Sequence, residues 1–327
     1  MRSAILGTGS YVPEKVLTNF DLEKMVDTSD EWIRTRTGIV ERRVADKHTP
    51  SSELAVRAAK KALQMANLTP QDMDAILVAT VTPDYMFPST ACILQHKLGA
   101  RKVMSYDFSA GCTGFIYGLI QADAMIRVGV AKYVLVVAVE ELTKITNWTD
   151  RSTCVLFGDG AGAAVVGPAK DDDHGILSTY AAADGSLGDL LILPAGGSAM
   201  PASEETVKQK LHTLRMAGNE VFKHAVRQME ESALKGLELA GVDMKDLDWL
   251  VPHQANIRII DFLARRLNLP MDRVVVTIDK YGNTSASSIP IALDEAVRDG
   301  RIKPDQTVLM VAFGAGFTWG SVLVRWQ

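Results

Sequence analysis

Cys112 has the setting of a nucleophile. It stands in Ser109-Ala110-Gly111-Cys112-Thr113-Gly114-Phe115, after a strand-like run at 103–108 and at the opening of a helical run at 115–128. A thiol at a helix N-terminus feels the positive end of the helix dipole, which lowers its pKa and favours thiolate. The small neighbours leave room for a substrate. The competing reading is that a free cysteine is a small buried hydrophobe. That reading is taken for Cys92, inside an apolar helical run, and for Cys154, inside 153–157.

His253 follows the apolar run 249–252, in Pro252-His253-Gln254-Ala255-Asn256. Ligands collect at the C-terminal ends of strands in α/β sheets, although a core histidine with satisfied nitrogens has the same signature. His48, His96, His174, His212 and His224 lie in polar or helical contexts and read as structural or solvated. Asn283 follows the run 274–278 in Tyr281-Gly282-Asn283-Thr284-Ser285, where asparagine also serves as an ordinary cap or turn residue.

These residues need a scaffold, and the chain is long enough for one. Its 327 residues are 47% hydrophobic, 23% charged and 6% aromatic, with a net charge of −4. At ~150 residues per domain the length suggests two units. The apolar fraction excludes disorder, and the charge balance gives no case for nucleic acid. Three cysteines, odd in number and widely spaced, argue against a disulfide framework. The first residues lack the apolar core of a signal peptide, and the apolar stretch 133–139 is too short to span a bilayer. The expectation is a soluble cytoplasmic protein.

Strand-like runs at 75–81, 103–108 and 133–139 alternate with helical runs at 90–98 and 115–128. This predicts an α/β fold with a mainly parallel sheet covered on both faces. The order recurs in the second half: strands at 249–252, 274–278 and 308–312, helices at 256–267 and 285–298. Phe157-Gly158-Asp159-Gly160 and Phe313-Gly314-Ala315-Gly316 each precede a strand-like run, at 162–166 and 319–324. The pattern implies duplication of one unit, with halves at 1–170 and 171–327 joined through a connecting region near 168–203. Cys112 and Asn283 then occupy equivalent strand-to-helix turns. Asp171-Asp172-Asp173 reads as a solvated loop.

Metal-ligand spacings, GxGxxG and Walker A are all absent, so metal, nicotinamide and ATP chemistry have no sequence support. On the helix at 256–267, Ile260, Leu263 and Leu267 form the apolar stripe. Arg258 and Arg265 face away, with Arg266 beside them. Lys223 and Arg227 lie four apart on a helix after Gly218. Together they make a local basic patch for an acidic partner, or an ordinary charged surface.

At this point the motifs identify a family. Ile5-Leu6-Gly7-Thr8-Gly9, Val26-Asp27-Thr28-Ser29-Asp30-Glu31-Trp32-Ile33, Phe157-Gly158-Asp159-Gly160 and those around His253 and Asn283 occur in order over nearly the whole chain. The sequence resembles 3-oxoacyl-(acyl-carrier-protein) synthase III, the condensing enzyme that starts type II fatty-acid synthesis. The resemblance implies a thiolase-like fold: duplicated βαβαβ halves in a five-layer α-β-α-β-α arrangement, usually as a homodimer.

It further implies a triad of Cys112, His253 and Asn283. Cys112 would take a short acyl group from acyl-CoA. Asn283 and a neutral His253 would hold the enolate formed when malonyl-acyl-carrier protein loses CO2, and the N–H groups of Cys112 and Ala315 would form the oxyanion hole. For CoA the resemblance implies Trp32 and Arg151 around the adenine, Thr28 and Arg36 on the nucleotide, and Gly218 and Asn256 along the pantetheine arm. Lys223 and the segment Gln254, Ala255, Asn256, Ile257 and Arg258 would meet the carrier protein. Phe87, reaching across a dimer, together with Leu142 and Phe157 would shape a primer pocket for acetyl or another small group. No metal or other cofactor is implied.

Two residues depart from the family pattern: Thr113 beside the nucleophile, and Ala315, where alanine would be strained if the backbone needs positive φ. Val81 stands where a polar residue can occur. Other chemistries share these residues. A papain-like peptidase also has Cys, His and Asn in this order, but the local signature is missing. A non-catalytic scaffold, and a relative using longer primers in secondary metabolism, complete the alternatives.

Overall fold

The computed structural model describes residues 2–327. Nine strands carry its two main sheets. They are β1 (Ser3–Tyr11), β2 (Ala75–Ala79), β3 (Met104–Phe108), β4 (Val134–Glu141), β5 (Asp159–Pro168), β6 (Gly175–Ala183), β7 (Trp249–Pro252), β8 (Thr307–Gly314) and β9 (Thr318–Arg325). Seven helices matter to the site: α1 (Asp30–Thr37), α2 (Ser51–Met65), α3 (Thr90–Leu98), α4 (Gly114–Arg127), α5 (Gly218–Ala240), α6 (Ile257–Arg266) and α7 (Ser288–Arg298).

Strand side chains alternate between faces, and here both faces are apolar. In β4, Val134, Val136 and Ala138 join a core that includes Phe115, Leu119 and Ile126 of α4 and Ile289, Leu293 and Ala296 of α7. Leu135, Val137 and Val139 face Leu54, Ala58 and Ala62 of α2 and Leu94 of α3. In β8, Val308, Met310 and Ala312 share the central core with α4 and α7. Leu309, Val311 and Phe313 pack on Met229 and Ala233 of α5 and Ile260 and Leu263 of α6. The result is the five-layer α-β-α-β-α stack, with α4 and α7 between the sheets. Gly9 sets the spacing on one outer face: a Cβ there would lie 2.3 Å from Ala58 O, so α2 seats directly on the β1 backbone.

The sheets are mixed, which corrects the expectation of mainly parallel pairing. The first runs β1-β5-β4-β2-β3 and the second β7-β8-β9-β6. Only β2–β3, β2–β4 and β7–β8 are parallel. The three residues of Ala315-Gly316-Phe317 join β8 to β9, and so short a connection permits only an antiparallel return. The duplication is visible in the topology, since β6-β9-β8-β7 repeats β1-β5-β4-β2 position for position.

The fifth position of the repeat differs. The run 274–278 was expected as a strand, but it makes a single bridge, Leu250 to Val274. The Gln254 side chain takes the groups a ladder would use: its amide donates to Val275 O (3.0 Å), and its carbonyl accepts from Thr277 N–H (2.9 Å) and Ile278 N–H (3.2 Å). The connecting region 168–203 also differs from expectation, because it contains β6, an edge strand of the second sheet.

Candidate active site

Three segments distant in sequence converge on one cavity of about 110 Å³. Its walls include Cys112, His253 and Asn283, with Leu156, Phe222 and Phe313 among the apolar lining. Cys112 lies in the turn Gly111–Thr113 that leads into α4, His253 just past the end of β7, and Asn283 ahead of α7. A second cavity of about 150 Å³ opens from the other side of Cys112, walled by Leu142, Ile145, Leu191, Leu193 and Leu214.

The polar ends of His253 and Asn283 are fixed by partners. His253 is 2% exposed, and its Nδ1 lies 2.7 Å from Ser288 Oγ. Ser288 Oγ also accepts the Gln254 N–H (3.3 Å); with the Ser288 hydroxyl donating to Nδ1, the ring proton sits on Nε2. Burial pushes His253 down to about 3, so the ring is neutral. Asn283 Oδ1 accepts the Ser285 N–H at 2.8 Å, which leaves the Nδ2 hydrogens for the cavity. Its backbone is bridged to Phe157: Asn283 N–H donates to Leu156 O (2.8 Å), and Gly158 N–H donates to Asn283 O (3.0 Å). Ser288 was not anticipated, since a serine at a helix start reads as an ordinary polar residue.

The thiol contradicts the sequence expectation. Cys112 keeps some exposure to the cavities, yet burial of its surroundings pushes it up to about 12. The Ser285 hydroxyl opposes the rise and the charge of Glu140 adds to it. Desolvation disfavours the charged form, so Cys112 rests as a thiol. Nor is there an imidazolium to hold a thiolate, because His253 is neutral.

The turns around Cys112 interlock. A Cβ at Gly314 would stand 2.4 Å from Cys112 N, and one at Gly111 (φ 52°) would stand 2.7 Å from Ala315 N. Both departures from the family pattern find their reason here. The positive φ of the second turn falls on Gly316, not Ala315. The Thr113 hydroxyl donates to Thr318 O and accepts from Thr318 Oγ1, each at 3.1 Å.

The mouth holds the nucleotide candidates. Arg151 lies 4.5 Å over the Trp32 ring and donates to Asp27 O at 2.8 Å. A third planar group between them would need about 7 Å, two contact distances of ~3.5 Å, so Arg151 must swing aside before a ring can stack on Trp32. Thr28 Oγ1 is buried without a partner, and Arg36 is exposed. Gly218 and Asn256 line the Cys112 cavity. Asn256 also caps α6 through Arg258 N–H (2.9 Å) and donates to Arg36 O (3.0 Å).

The basic patch is narrower than expected. Arg265 pairs with Asp261 (2.5 Å), Arg266 with Glu230 (2.6 Å) and Lys223 with Glu220 (2.7 Å). Arg258 stacks on Phe222 at 5.3 Å and stays exposed. Ala255 and Ile257 are half-buried beside it. Gln254 needs correction as a carrier contact: it is 1% exposed and its amide is fully committed inside the fold. Leu142 and Phe157 line the second cavity, whereas Phe87 is 86% exposed and lines neither. Cys154 is buried as expected, but Cys92 is exposed on α3, the reverse of the expectation.

An acidic group behind the site was also missed. Burial pushes Glu140 and Glu141 up to about 7 and Asp159 up to about 6. Two glutamates closing the apolar run of β4 were the available signal. For a carboxyl whose folded pKa is raised, the folded state holds the proton more tightly than the unfolded state. Its contribution to stability is full below about pH 4 and is lost as pH rises through the folded value. His174, raised by Asp171 and Asp305, loses its contribution in the same direction. The melting temperature is therefore expected to fall between pH 5 and pH 8. Glu141→Gln together with Asp159→Asn should flatten that slope in calorimetric scans, and a melting temperature that rises with pH would contradict it.

Comparison with known proteins gives one consistent result. A family model described as 3-oxoacyl-(acyl-carrier-protein) synthase III matches residues 106–185, and the corresponding C-terminal model matches 237–326. A beta-ketoacyl-(acyl-carrier-protein) synthase III from Caldanaerobacter subterraneus subsp. tengcongensis is 58% identical, the match covering 99% of this chain and 98% of the relative. The crystal structure of 3-oxoacyl-(acyl-carrier-protein) synthase III from Aquifex aeolicus superposes with a TM-score of 0.91 at 52% identity, covering 99% of this chain and 100% of the other. The enzyme of that name from Pseudomonas aeruginosa gives 0.92 at 41% identity, covering 100% and 98%.

Proposed function

Because the chain belongs to the 3-oxoacyl-(acyl-carrier-protein) synthase III family, the acyltransferases that initiate fatty-acid synthesis, we propose that Cys112 carries the acyl primer and that His253 and Asn283 drive the decarboxylative step. One observation carries this reading. The three side chains line one apolar cavity, and the far sides of His253 and Asn283 are tied off by Ser288 and Ser285.

Cys112 Sγ attacks the thioester carbonyl of a short acyl-CoA. The N–H groups of Cys112 and Ala315 receive the oxyanion, and CoA leaves as its thiolate. Nucleophile and leaving group are both sulfur, so the exchange is near balance. Malonyl-carrier protein then enters. Its carboxyl leaves as CO2, and the enolate oxygen accepts from His253 Nε2–H and Asn283 Nδ2–H. Donors fixed beforehand in a water-poor site stabilise such charge far better than water does. The carbanion attacks the acyl carbonyl on Cys112, the thiolate departs, and 3-oxoacyl-carrier protein is released. Each step closes on thioester, carboxylate and thiol chemistry and calls on no metal or redox cofactor.

CoA enters over Trp32 once Arg151 has moved, with Thr28 and Arg36 at the nucleotide and Gly218 and Asn256 beside the pantetheine arm. The acidic carrier docks on Lys223, Ala255, Asn256, Ile257 and Arg258, where Arg258 makes no ion pair among the described residues. The primer occupies the second cavity, beside Leu142 and Phe157. Its apolar walls suit the alkyl end of a short acyl group such as acetyl.

The enzyme is read as a homodimer. β3 is an edge strand, and Tyr85, Met86, Phe87 and Met104 expose apolar surface beside it, so Phe87 would complete the partner's primer pocket. The boundary between halves is put at 170/171, between the end of β5 and the start of β6. No helix among the described residues is long and apolar enough to cross a membrane, and the enzyme is assigned to the cytoplasm with its carrier. Incubation with acetyl-CoA followed by intact-mass and peptide analysis should place one acyl group on Cys112. No adduct there with any short acyl-CoA would overturn the assignment.

A further inference from the structure

The Gln254 side chain lies between the segments that carry His253 and Asn283, outside the cavity those two residues share. It is 1% exposed and walls neither cavity beside Cys112. Its amide makes four hydrogen bonds, all that it can hold. Nε2 donates to Pro252 O (2.8 Å) and Val275 O (3.0 Å), and Oε1 accepts from Thr277 N–H (2.9 Å) and Ile278 N–H (3.2 Å). Flipping the amide would set its oxygen against two carbonyls and its nitrogen against two N–H groups, so its orientation is fixed.

The two halves of the chain show what this amide replaces. In the first half, β3 pairs with β2 in continuous register from Ala75–Met104 to Ala79–Phe108, and the ladder itself carries the chain towards the Cys112 turn. In the second half, the run 274–278 keeps the Leu250–Val274 bridge and a bond from Val275 N–H to Leu250 O (2.9 Å). Beyond these the rungs come from the Gln254 amide. A side-chain amide presents the donor and acceptor of a peptide group while leaving the chain free to turn out of the sheet. The chain does so at Thr277, enters the one-turn helix Ile278–Tyr281, and reaches Asn283 through Gly282, whose φ is 64°.

Gln254 also meets the far side of that loop. Its backbone N–H donates to Ser288 Oγ at 3.3 Å, the same hydroxyl that lies 2.7 Å from His253 Nδ1. The segment that carries Asn283 is therefore tied to the residue after His253 on both flanks, at Thr277 and Ile278 before Asn283 and at Ser288 after it. His253 is itself anchored by its N–H to Val311 O of β8 (2.8 Å).

We propose that Gln254 is a positioning residue that sets the spacing between His253 Nε2–H and Asn283 Nδ2–H, the two donors at the enolate oxygen. The inference rests on His253 and Asn283 serving the decarboxylative step. Two donors aimed at one oxygen lose their joint effect when either is displaced, and a misplacement of about 1 Å costs ~10²-fold in rate. Without the amide, two buried N–H groups and two buried carbonyls lose their partners, and they regain partners only if the 275–278 segment moves. Gln254 acts through His253 and Asn283 and not on the substrate. The family resemblance makes it a carrier contact instead, and the two roles predict opposite kinetics.

The test is steady-state CO2 release from malonyl-carrier protein, with acetylation of Cys112 by acetyl-CoA followed by intact mass on the same preparations. In Gln254→Met, which keeps the length of the side chain and removes the amide, kcat for CO2 release should fall by ~10²-fold. KM for malonyl-carrier protein and the rate of Cys112 acetylation should stay as in wild type. Gln254→Asn, which keeps the amide on a shorter stem, should show the same split with a smaller loss, and it decides the matter if Gln254→Met does not fold. A raised KM with kcat unchanged would make Gln254 a carrier contact and overturn the proposal. Equal loss of acetylation and CO2 release would show a general support of the fold and overturn it too, as would unchanged kinetics. Undiminished CO2 release in His253→Ala and Asn283→Ala would instead remove the assignment on which the positioning rests.

Discussion

Cys112→Ala should form no acyl-enzyme and lose at least ~10³-fold in condensation, because covalent catalysis has no substitute nucleophile in this cavity. Cys92 is exposed on α3 and Cys154 is buried in the outer core of the second sheet, and neither lines either cavity beside Cys112. Release of CO2 from malonyl-carrier protein should survive the substitution, since the donors at the enolate oxygen come from His253 and Asn283. Intact mass reads the first effect and labelled CO2 the second. Condensation that persists in Cys112→Ala would mean that another residue, or direct attack on acyl-CoA, carries the reaction. Loss of CO2 release would mean that the thiol shapes the malonyl site as well.

The complementary result is expected from His253→Ala and Asn283→Ala. Each removes one fixed donor from a developing enolate, a change worth ~10²–10³-fold in rate. Both variants should still accept the primer on Cys112. The pH dependence adds a second check. Burial holds His253 down at about 3, so it stays neutral through the working range. CO2 release should therefore show no histidine titration between pH 5.5 and 8.5. A loss of CO2 release below pH 7 that disappears in His253→Ala would show the ring to be protonated in that range and would contradict the neutral-donor assignment.

These two results would separate the half-reactions by residue, as the geometry separates them in space. Cys112 sits at the junction of two cavities, one toward Leu142 and Leu214 and the other toward Phe222 and Asn256. His253 and Asn283 line only the second of these. Ser285 and Ala315 line only the first. On the proposed reading, a nucleophile between them is loaded from one carrier and discharged onto another without moving.

Much of the scaffold was legible from local pattern. The continuous apolar run of β4 implies a strand buried on both faces, and the alternation of its residues between two cores bears that out. Helix α3 has the expected bounds, and β7 as well. The misreadings share a cause. The run 274–278 looks like a strand by composition, but a glutamine distant in sequence from its end occupies the backbone groups that a neighbouring strand would need. Cys92 looks buried by its helix, yet α3 turns that face outward beside the edge strand β3.

Sequence alone was enough for much of the alternation of strands and helices, for the duplication and for the chemical types at the turns that open α4, α6 and α7. Each of these depends on residues within a few positions of one another. The proton positions were decided only by the tertiary structure. The Cys112 thiol is raised, not lowered, because packing removes water from around it. His253 can present its proton on Nε2 because Ser288, at the start of α7, lies against Nδ1. The Ser285 turn from the second half packs against both β4 and the Cys112 turn of the first, a contact that no local pattern carries. Desolvation and hydrogen-bond partnership are sums over neighbours that the chain brings together from afar, so periodicity and spacing carry no record of them.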